Sequence, residues 1–160
     1  MSDLPEDLRK IDLNDHQNEL TSQNGIYFWF DKNTMACVYI GIACSKKGLK
    51  GRISRQHLNP RYLESREHKH SVKDDFQLMH PIMRLSSKGI IKKCIDKSTF
   101  RKSIGRALKL KPGDETCSYI LDNLILKVLE SSDKDYLRDL EKKLNQKVQP
   151  RFNTSMKLTR

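Results

Sequence analysis

Residues 24–58 read NGIYFWFDKNTMACVYIGIACSKKGLKGRISRQHL, and this stretch decides the fold. In residues 26–30, and again in residues 38–42, side chains alternate between two faces as they do in a β-strand. The connection at residues 31–34 is polar and turn-like, so the two segments are predicted to pair as an antiparallel hairpin. With the turn centred near Asn33, Tyr27 and Tyr39 are predicted to lie opposite each other on one face.

A short basic helix is predicted directly after the hairpin. The apolar Leu49 and Ile53 mark its inner face. Three polar side chains project from its other positions: Arg52, Arg55 and His57. Without these neighbours, the two tyrosines of the hairpin would be better explained as half-buried aromatic rings with hydrated hydroxyls.

The order of these features resembles the GIY-YIG nuclease superfamily. Gly-Ile-Tyr at 25–27 is followed, after 11 residues, by Tyr-Ile-Gly at 39–41, a Leu-x-x-Arg-hydrophobic sequence and a nearby histidine. Two more landmarks follow in order, a glutamate on the helix after the third strand (Glu141) and a Pro-x-hydrophobic-Asn element at residues 150–153. The resemblance spans residues 24–153. It implies an α/β (α+β) fold, in which an N-terminal hairpin and one more strand form a small central three-stranded sheet flanked by helices.

The resemblance also implies a catalytic site for phosphodiester hydrolysis. Tyr27 would be the general base, Tyr39 would orient the water or the phosphate, and Arg52 would donate hydrogen bonds to the phosphate. Glu141 would bind one Mg²⁺ or Mn²⁺ ion, because a single carboxylate suits a cation that keeps most of its waters. Asn153 would hold the site together by hydrogen bonds.

The position of the helix histidine departs from the superfamily pattern. In much of the superfamily this histidine follows the arginine by four residues, but Gln56 occupies that place here and His57 comes one residue later. Either the helix is locally adjusted to bring His57 to the site, or Arg52 has no such partner. If Arg52 is not the arginine that contacts the phosphate, Arg55 is the next candidate.

The rest of the sequence predicts one domain over residues 1–160, with an N-terminal extension at 1–23 and an insertion at 59–97. The insertion contains four apolar residues with helical spacing, which are predicted to pack on the core: Phe76, Met79, Ile82 and Met83. The insertion is also a candidate for contacting DNA or selecting a target. His68 and His70 have no neighbours that complete a zinc set, so no metal site is predicted there.

Residues 98–108, STFRKSIGRAL, are predicted to form an amphipathic helix with Ser98 as its N-cap. Arg101, Lys102 and Lys109 are assigned to the face opposite its apolar side. The segment resembles the S-T-L-R-x-S-L-G-x-L-L helix in one branch of the superfamily. Its basic face would hold a phosphate backbone, whereas an ordinary amphipathic surface helix fits the periodicity equally well.

The C-terminal part is predicted to contain a buried third strand at 124–129 and a helix at about 134–147. On that helix Glu141 falls within the apolar stripe, between Leu137 and Leu144. A carboxylate that faces a core costs several kcal/mol unless it is paired or binds a cation. The alternative is a glutamate at the edge of the stripe, in contact with solvent, Arg138 or Lys143.

The net charge of +11 is concentrated in two basic blocks, residues 42–63 and 88–111, in which Asp96 is the only acid. A solubilising surface is one explanation, but blocks of a single sign repel internally and favour a polyanionic partner. Contacts to nucleic acid are therefore predicted for eight side chains: Lys46, Lys47, Lys50, Arg55, Arg61, Arg101, Lys102 and Arg106. Membrane binding is not predicted, because the basic helices lack large apolar faces.

The four cysteines have no CxxC spacing, and no apolar run is long enough for a signal region or a membrane span. A cytoplasmic protein with reduced thiols is therefore expected. The leading function is a metal-dependent DNA endonuclease, and the alternative is a nucleic-acid-binding protein that keeps the fold without catalysis. The choice between DNA and RNA, and between restriction, repair and mobile-element roles, stays open. A homodimer would let a restriction enzyme cut both strands.

Overall fold

The structure is a computed structural model that describes residues 3–66 and 76–153 of the chain. Its strands in chain order are β1 (Arg9–Ile11), β2 (Gly25–Asp31), β3 (Cys37–Ala43), β4 (Leu63–Ser65), β5 (Ile82–Leu85), β6 (Ile91–Asp96) and β7 (Leu124–Glu130). Its α-helices are α1 (His16–Glu19), α2 (Gly48–Arg52), α3 (Phe76–Met79), α4 (Thr99–Leu108), α5 (Asp114–Asn123) and α6 (Lys134–Val148). A π-helical turn, Ile53–His57, continues α2. His68 and His70, where no zinc site is predicted, lie outside the described residues.

The main sheet is antiparallel, and its strand order is β1-β7-β2-β3. The predicted third strand is confirmed as β7, which pairs with the whole of β2. The sheet has four strands rather than the predicted three, because residues 9–11 of the N-terminal segment pair with β7 on its other side. The mixed α/β fold expected from the sequence is confirmed.

The β2–β3 hairpin is confirmed, but its register differs from the predicted one. Tyr27 is opposite Gly41, and Tyr39 is opposite Trp29. A β-bulge directly after Trp29 shifts the pairing, and the loop that follows contains Met35 in the left-handed region at φ 61°. Tyr27 and Tyr39 are therefore diagonal neighbours on the same face, with ring centroids 6.3 Å apart.

The segment at 59–97 builds a second antiparallel sheet, in the order β4-β6-β5. The predicted packing of its apolar residues on the core is wrong for Met79 and Met83, which are 68% and 57% exposed. Helix α3 ends at Met79, whereas Ile82 and Met83 belong to strand β5 and point to opposite faces.

Both faces of the main sheet are covered. On the face that carries Tyr27 and Tyr39, the core includes Ile53 of the π-helical turn and Phe100 of α4. The opposite face packs against α6 through a cluster of six buried side chains: Ile26, Phe28, Phe30, Ile40, Leu137 and Leu144. Strand β3 lies at one edge of the sheet. Of the helices in residues 3–66 and 76–153, none has the length and apolar character needed to cross a bilayer.

Candidate active site

Tyr27 lies at the centre of the site, in the middle of β2. Its side chain is buried, and its ring packs over Gly41 of β3. A Cβ atom built on Gly41 would lie 2.5 Å from the Tyr27 hydroxyl oxygen, so the position tolerates only glycine while the ring stays in place. The last residue of the YIG sequence therefore makes room for the last residue of the GIY sequence.

His57 reaches the site because the helix widens before it. In the π-helical turn the backbone N–H of Leu58 donates to the carbonyl of Ile53 at 2.8 Å, which spans five residues. A single π-helical turn accommodates one extra residue within a helix. This extra residue accounts for the position of His57, which comes one residue later than in the superfamily pattern. Of the two alternatives left open by the sequence, the structure therefore supports a locally adjusted helix. His57 is buried, and its Nε2 lies 2.7 Å from the Tyr27 hydroxyl oxygen.

The N-terminus of α4 contacts His57 from the other side. Ser98 is the N-cap of α4, and its Oγ accepts a hydrogen bond from the backbone N–H of Arg101 at 3.2 Å. The same Oγ lies 2.7 Å from Nδ1 of His57. Ser98, His57 and Tyr27 therefore form one buried hydrogen-bonded chain.

The buried environment keeps these groups neutral. Burial, followed by the charges of Arg52 and Arg101, lowers the pKa of His57 to about 3. Burial is also the main cause that raises the pKa of Tyr27 well above its ordinary value, and the positive charge of Arg52 acts in the opposite direction. For Tyr39, burial and then Glu141 raise the pKa to about 12.

Arg52 and Glu141 bring opposite charges close to Tyr27 and Tyr39 from different layers. Arg52 ends α2, whereas Glu141 lies on α6, and both side chains are half-buried. The charge of Glu141 acts on Tyr27 and Tyr39, and burial raises the pKa of Glu141 itself while Arg52 opposes that effect. Within the described residues, neither side chain forms a hydrogen bond or an ion pair. Arg138, an alternative partner for Glu141, pairs with Asp135 at 3.7 Å.

Asn153 ties the C-terminal end of the described chain to β3. Its side-chain oxygen accepts from the N–H of Ile40 at 2.8 Å, and its amide donates to the carbonyl of Ile40 at 3.0 Å. These two bonds occupy the free edge of β3 between Tyr39 and Gly41. The carboxamide therefore fixes the strand that carries Tyr39.

The donor set around Glu141 fits a hard cation held by one carboxylate. Within the described part of the chain, no group of three or more His, Cys, Asp and Glu side chains could hold a metal ion. Glu141 is a half-buried carboxylate without a protein partner there, and Mg²⁺ is commonly bound through one or two carboxylates while it keeps several waters. Glu141 is the residue that would hold such an ion.

The prediction that the basic face of α4 holds a phosphate backbone is wrong for Arg101. This side chain is fully buried, and its Nε donates to the carboxylate of Asp96 at 3.0 Å. Its Nη atoms donate to three backbone carbonyls: those of Gln56, Asn59 and Tyr62. Lys102 pairs with Glu64 at 2.6 Å, and Arg106 is half-buried. Arg101 therefore holds the end of the π-helical turn in place and is not available to DNA.

The remaining cations predicted to contact nucleic acid lie elsewhere. Lys46 and Lys47 are exposed directly before α2, and Lys50 is half-buried within it. Arg55 and Arg61 are exposed after it. All five belong to the segment that carries Arg52.

Sequence reasoning missed two residues that support the site. Ser98 was recognised only as a helix cap, because its contact with His57 joins positions 41 residues apart. Asp96 accepts hydrogen bonds from Gln77, Thr116 and the Gly113 N–H, in addition to Arg101. As the only acid in a long basic block, Asp96 was the available signal that one of the neighbouring cations is buried.

The sequence also matches a family of known proteins. The family described as the GIY-YIG catalytic domain matches residues 9–158, which is nearly the whole chain. No curated protein and no solved structure matches the chain significantly.

Proposed function

Since the chain belongs to the GIY-YIG nuclease family, we propose that it is a metal-dependent DNA endonuclease that hydrolyses phosphodiester bonds at the site formed around Tyr27. The observation that carries this proposal is the convergence of Tyr27, Tyr39, Arg52 and Glu141 from four different elements. A protein that only binds nucleic acid has no need of a half-buried, unpaired carboxylate beside a polyanion, because the carboxylate would repel the phosphates.

Tyr27 is the general base of this proposal. Phosphodiester hydrolysis requires a water that loses a proton while it attacks phosphorus in line with the leaving oxygen. The Tyr27 hydroxyl is held by His57. Burial raises the pKa of this phenol, and the positive charge of the nearby Arg52 acts in the opposite direction, towards the ionised form that a general base needs. Tyr39, on the same sheet face, would orient the water or the phosphate.

Arg52 is the residue proposed to bind the scissile phosphate. A guanidinium offers planar, bidentate donors that match phosphate oxygens, and Arg52 has no competing protein partner in the described residues. A divalent cation such as Mg²⁺ or Mn²⁺ on Glu141 would polarise a phosphate oxygen and stabilise the departing 3′ oxygen. Asn153 keeps β3, and with it Tyr39, in place.

The exposed lysines before α2 and the arginines after it are the proposed contacts to the DNA backbone. A polar groove of about 710 Å³ that includes Lys46 supports this assignment. Its lining is rich in hydroxyls and ammonium groups, the side chains that commonly contact phosphates: Ser22, Ser45, Lys46, Ser131, Ser132 and Lys134. The one acid, Glu130, is neutralised by Arg9 at 2.6 Å and accepts from Thr21 at 2.9 Å.

The proposal extends to the substrate, the cellular location and the oligomeric state. We assign DNA as the substrate and a cytoplasmic location, which the free thiols of Cys37, Cys44, Cys94 and Cys117 support. A homodimer is proposed for double-strand cleavage, because one site per chain cuts one strand at a time. The second sheet, built by residues 63–96, is the candidate for target selection.

Nicking of supercoiled plasmid DNA tests the proposal. The purified protein is expected to convert supercoiled plasmid to nicked circles with Mg²⁺ or Mn²⁺, and not with a chelator present. Glu141→Gln is expected to abolish nicking while the thermal unfolding curve stays close to that of the parent. Retention of DNA by the parent without metal-dependent nicking would identify the alternative, a nucleic-acid-binding protein without catalysis.

A further inference from the structure

The chain of Ser98, His57 and Tyr27 contains more protons than hydrogen bonds. All three side chains are 2% exposed, and two contacts of 2.7 Å join them. With a neutral imidazole, the chain has one proton on each hydroxyl and one on the ring. Two hydrogen bonds use two of these three protons, so the third is left at one end of the chain, on Ser98 or on Tyr27.

The contacts of Ser98 decide which end keeps the extra proton. Its oxygen already accepts the N–H of Arg101, and within the described residues the only acceptor for its own proton is Nδ1 of His57. If Nδ1 carried the ring proton instead, the Ser98 proton would have no partner inside the core, which is unfavourable for a buried hydroxyl. At the other end, the charges of Arg52 and Glu141 act on Tyr27, and this is the end of the chain that the proposed reaction deprotonates.

The helix dipole favours the same arrangement. Ser98 is the N-cap of α4, so Nδ1 of His57 faces the positive end of a helix of 10 residues. A helix N-terminus stabilises an electron pair and opposes a proton directed at it. An unprotonated Nδ1 therefore satisfies both the hydrogen bonding and the local field.

We propose that Ser98 is a positioning residue: its hydroxyl donates to Nδ1 of His57, holds the ring in the Nε2–H tautomer and makes it a donor to Tyr27. His57 then stabilises the ionised phenol and does not accept its proton. When Tyr27 is ionised, both remaining protons of the chain have an acceptor. The low pKa of His57 agrees with this role, because burial and two arginines oppose an imidazolium. The catalytic consequence rests on the proposed function, whereas the tautomer does not.

Nitrogen-15 NMR of the metal-free protein with ¹⁵N-labelled histidine tests the tautomer directly, because protonated and unprotonated ring nitrogens differ widely in chemical shift. The chain has five histidines, and the His57→Gln variant identifies the signals of His57. We expect a protonated Nε2 and an unprotonated Nδ1 at neutral pH. The opposite pattern would overturn the proposal, whether or not the protein cleaves DNA.

Two variants test whether Ser98 is the cause of the tautomer preference of His57. Ser98→Thr keeps the hydroxyl and is expected to keep both the Nε2–H signals and the cleavage rate. Ser98→Ala is expected to lose the tautomer preference and to lower kcat about 10- to 100-fold with unchanged KM, as when a partner that orients a functional imidazole is removed. An unchanged tautomer in folded Ser98→Ala would refute the role of Ser98. If this variant does not fold, the parent spectrum and Ser98→Thr still decide. A parent that shows the Nε2–H tautomer but cuts nothing would remove only the proposed function.

Discussion

Helices α2 and α4 are both basic in sequence, yet the structure uses their arginines in opposite ways. Arg52 at the end of α2 is half-buried and has no hydrogen-bond or ion-pair partner within the described residues. Arg101 in α4 is fully buried, pairs with Asp96, and donates to three backbone carbonyls. The two side chains have the same chemistry and differ in what surrounds them.

The comparison separates a cation that holds the fold together from one that is available to a ligand. The five donors of a guanidinium are satisfied by protein at Arg101, so nothing remains for a phosphate. At Arg52 the same donors are free to form bidentate bonds with a substrate. The comparison therefore predicts that variants of Arg101 change stability and that variants of Arg52 change catalysis.

The largest effect is expected from Arg101→Ala. Removing this cation leaves the Asp96 carboxylate buried with an unpaired charge, which costs about 3–5 kcal/mol. Urea unfolding, followed through tryptophan fluorescence, measures the loss. Lys102→Ala is the matched control, because its ion pair with Glu64 is partly exposed and is expected to contribute at most about 1 kcal/mol. Equal stability losses for the two variants would contradict the claim that Arg101 is the cation that holds the fold together.

The next effect is expected from Arg52→Ala. Loss of one electrostatic contact to the transition state reduces cleavage at least about 10²-fold, while unfolding free energy stays within about 0.5 kcal/mol of the parent. Rates of plasmid nicking measure the change. Arg55→Ala, three residues further along and exposed, is the control and is expected to retain most activity. A reversed order of the two variants would identify Arg55 as the catalytic cation.

Tyr27→Phe tests the proposed general base, the group that would act together with Arg52. The substitution keeps the ring over Gly41 but removes the hydroxyl bonded to His57, so nicking is expected to fall at least about 10²-fold. Near-parental nicking by this variant would exclude Tyr27 as the general base. Trp29→Phe, on the same strand and face, is the control for packing alone.

A smaller effect is expected in the pH dependence of stability. The pKa of His57 is lowered from 6.5 to about 3 in the folded protein, so the unfolded chain binds a proton first as the pH falls. Stability is therefore complete above pH 6.5 and falls towards pH 3, by up to about 1.4 kcal/mol per pH unit. Urea unfolding between pH 7 and 4 should show a slope that His57→Gln lacks. Parallel slopes would mean that His57 is not buried as a neutral ring.

The smallest effect is expected from Lys47→Ala. Lys47 is exposed before α2, and we assign it to the DNA backbone. Its loss should weaken binding a few-fold for all sequences and reduce the slope of log affinity against log salt by about 1. Lys109→Ala, exposed at the end of α4, is the control and should leave that slope unchanged. A changed salt slope for Lys109→Ala would indicate that α4 contacts DNA after all.

Local patterns were sufficient to predict the hairpin, the third strand and the helix of Glu141. Their alternation or helical spacing reports burial directly. The register was wrong by two residues because a bulge after Trp29 leaves no mark in that alternation. Strand β1 was missed because three residues carry too short a pattern, and Ile82 and Met83 were assigned to a helix because short apolar runs fit either period.

The sequence supplied the residue types of the candidate site, whose roles stay predictions, but not their supporting contacts. The spacing from Arg52 to His57 left two alternatives open, a locally adjusted helix or an arginine without a histidine partner, and the π-helical turn supports the first. The burial of Arg101 could not be read from the helix alone, because its acceptors are carbonyls about 40 residues earlier in the chain. Contacts of this kind depend on tertiary packing, which periodicity does not encode.

The central claim is that Arg52 and Glu141, from different layers of the fold, act on one phosphate. A double-mutant cycle on kcat/KM for plasmid nicking tests it, with Arg52→Lys and Glu141→Asp chosen so that residual rates stay measurable. We expect the double variant to be clearly faster than the product of the two single effects predicts, with a coupling of at least about 1 kcal/mol. A cycle with Arg55→Lys in place of Arg52→Lys should be additive. Additive effects in the Arg52 cycle would contradict the claim of a single shared site.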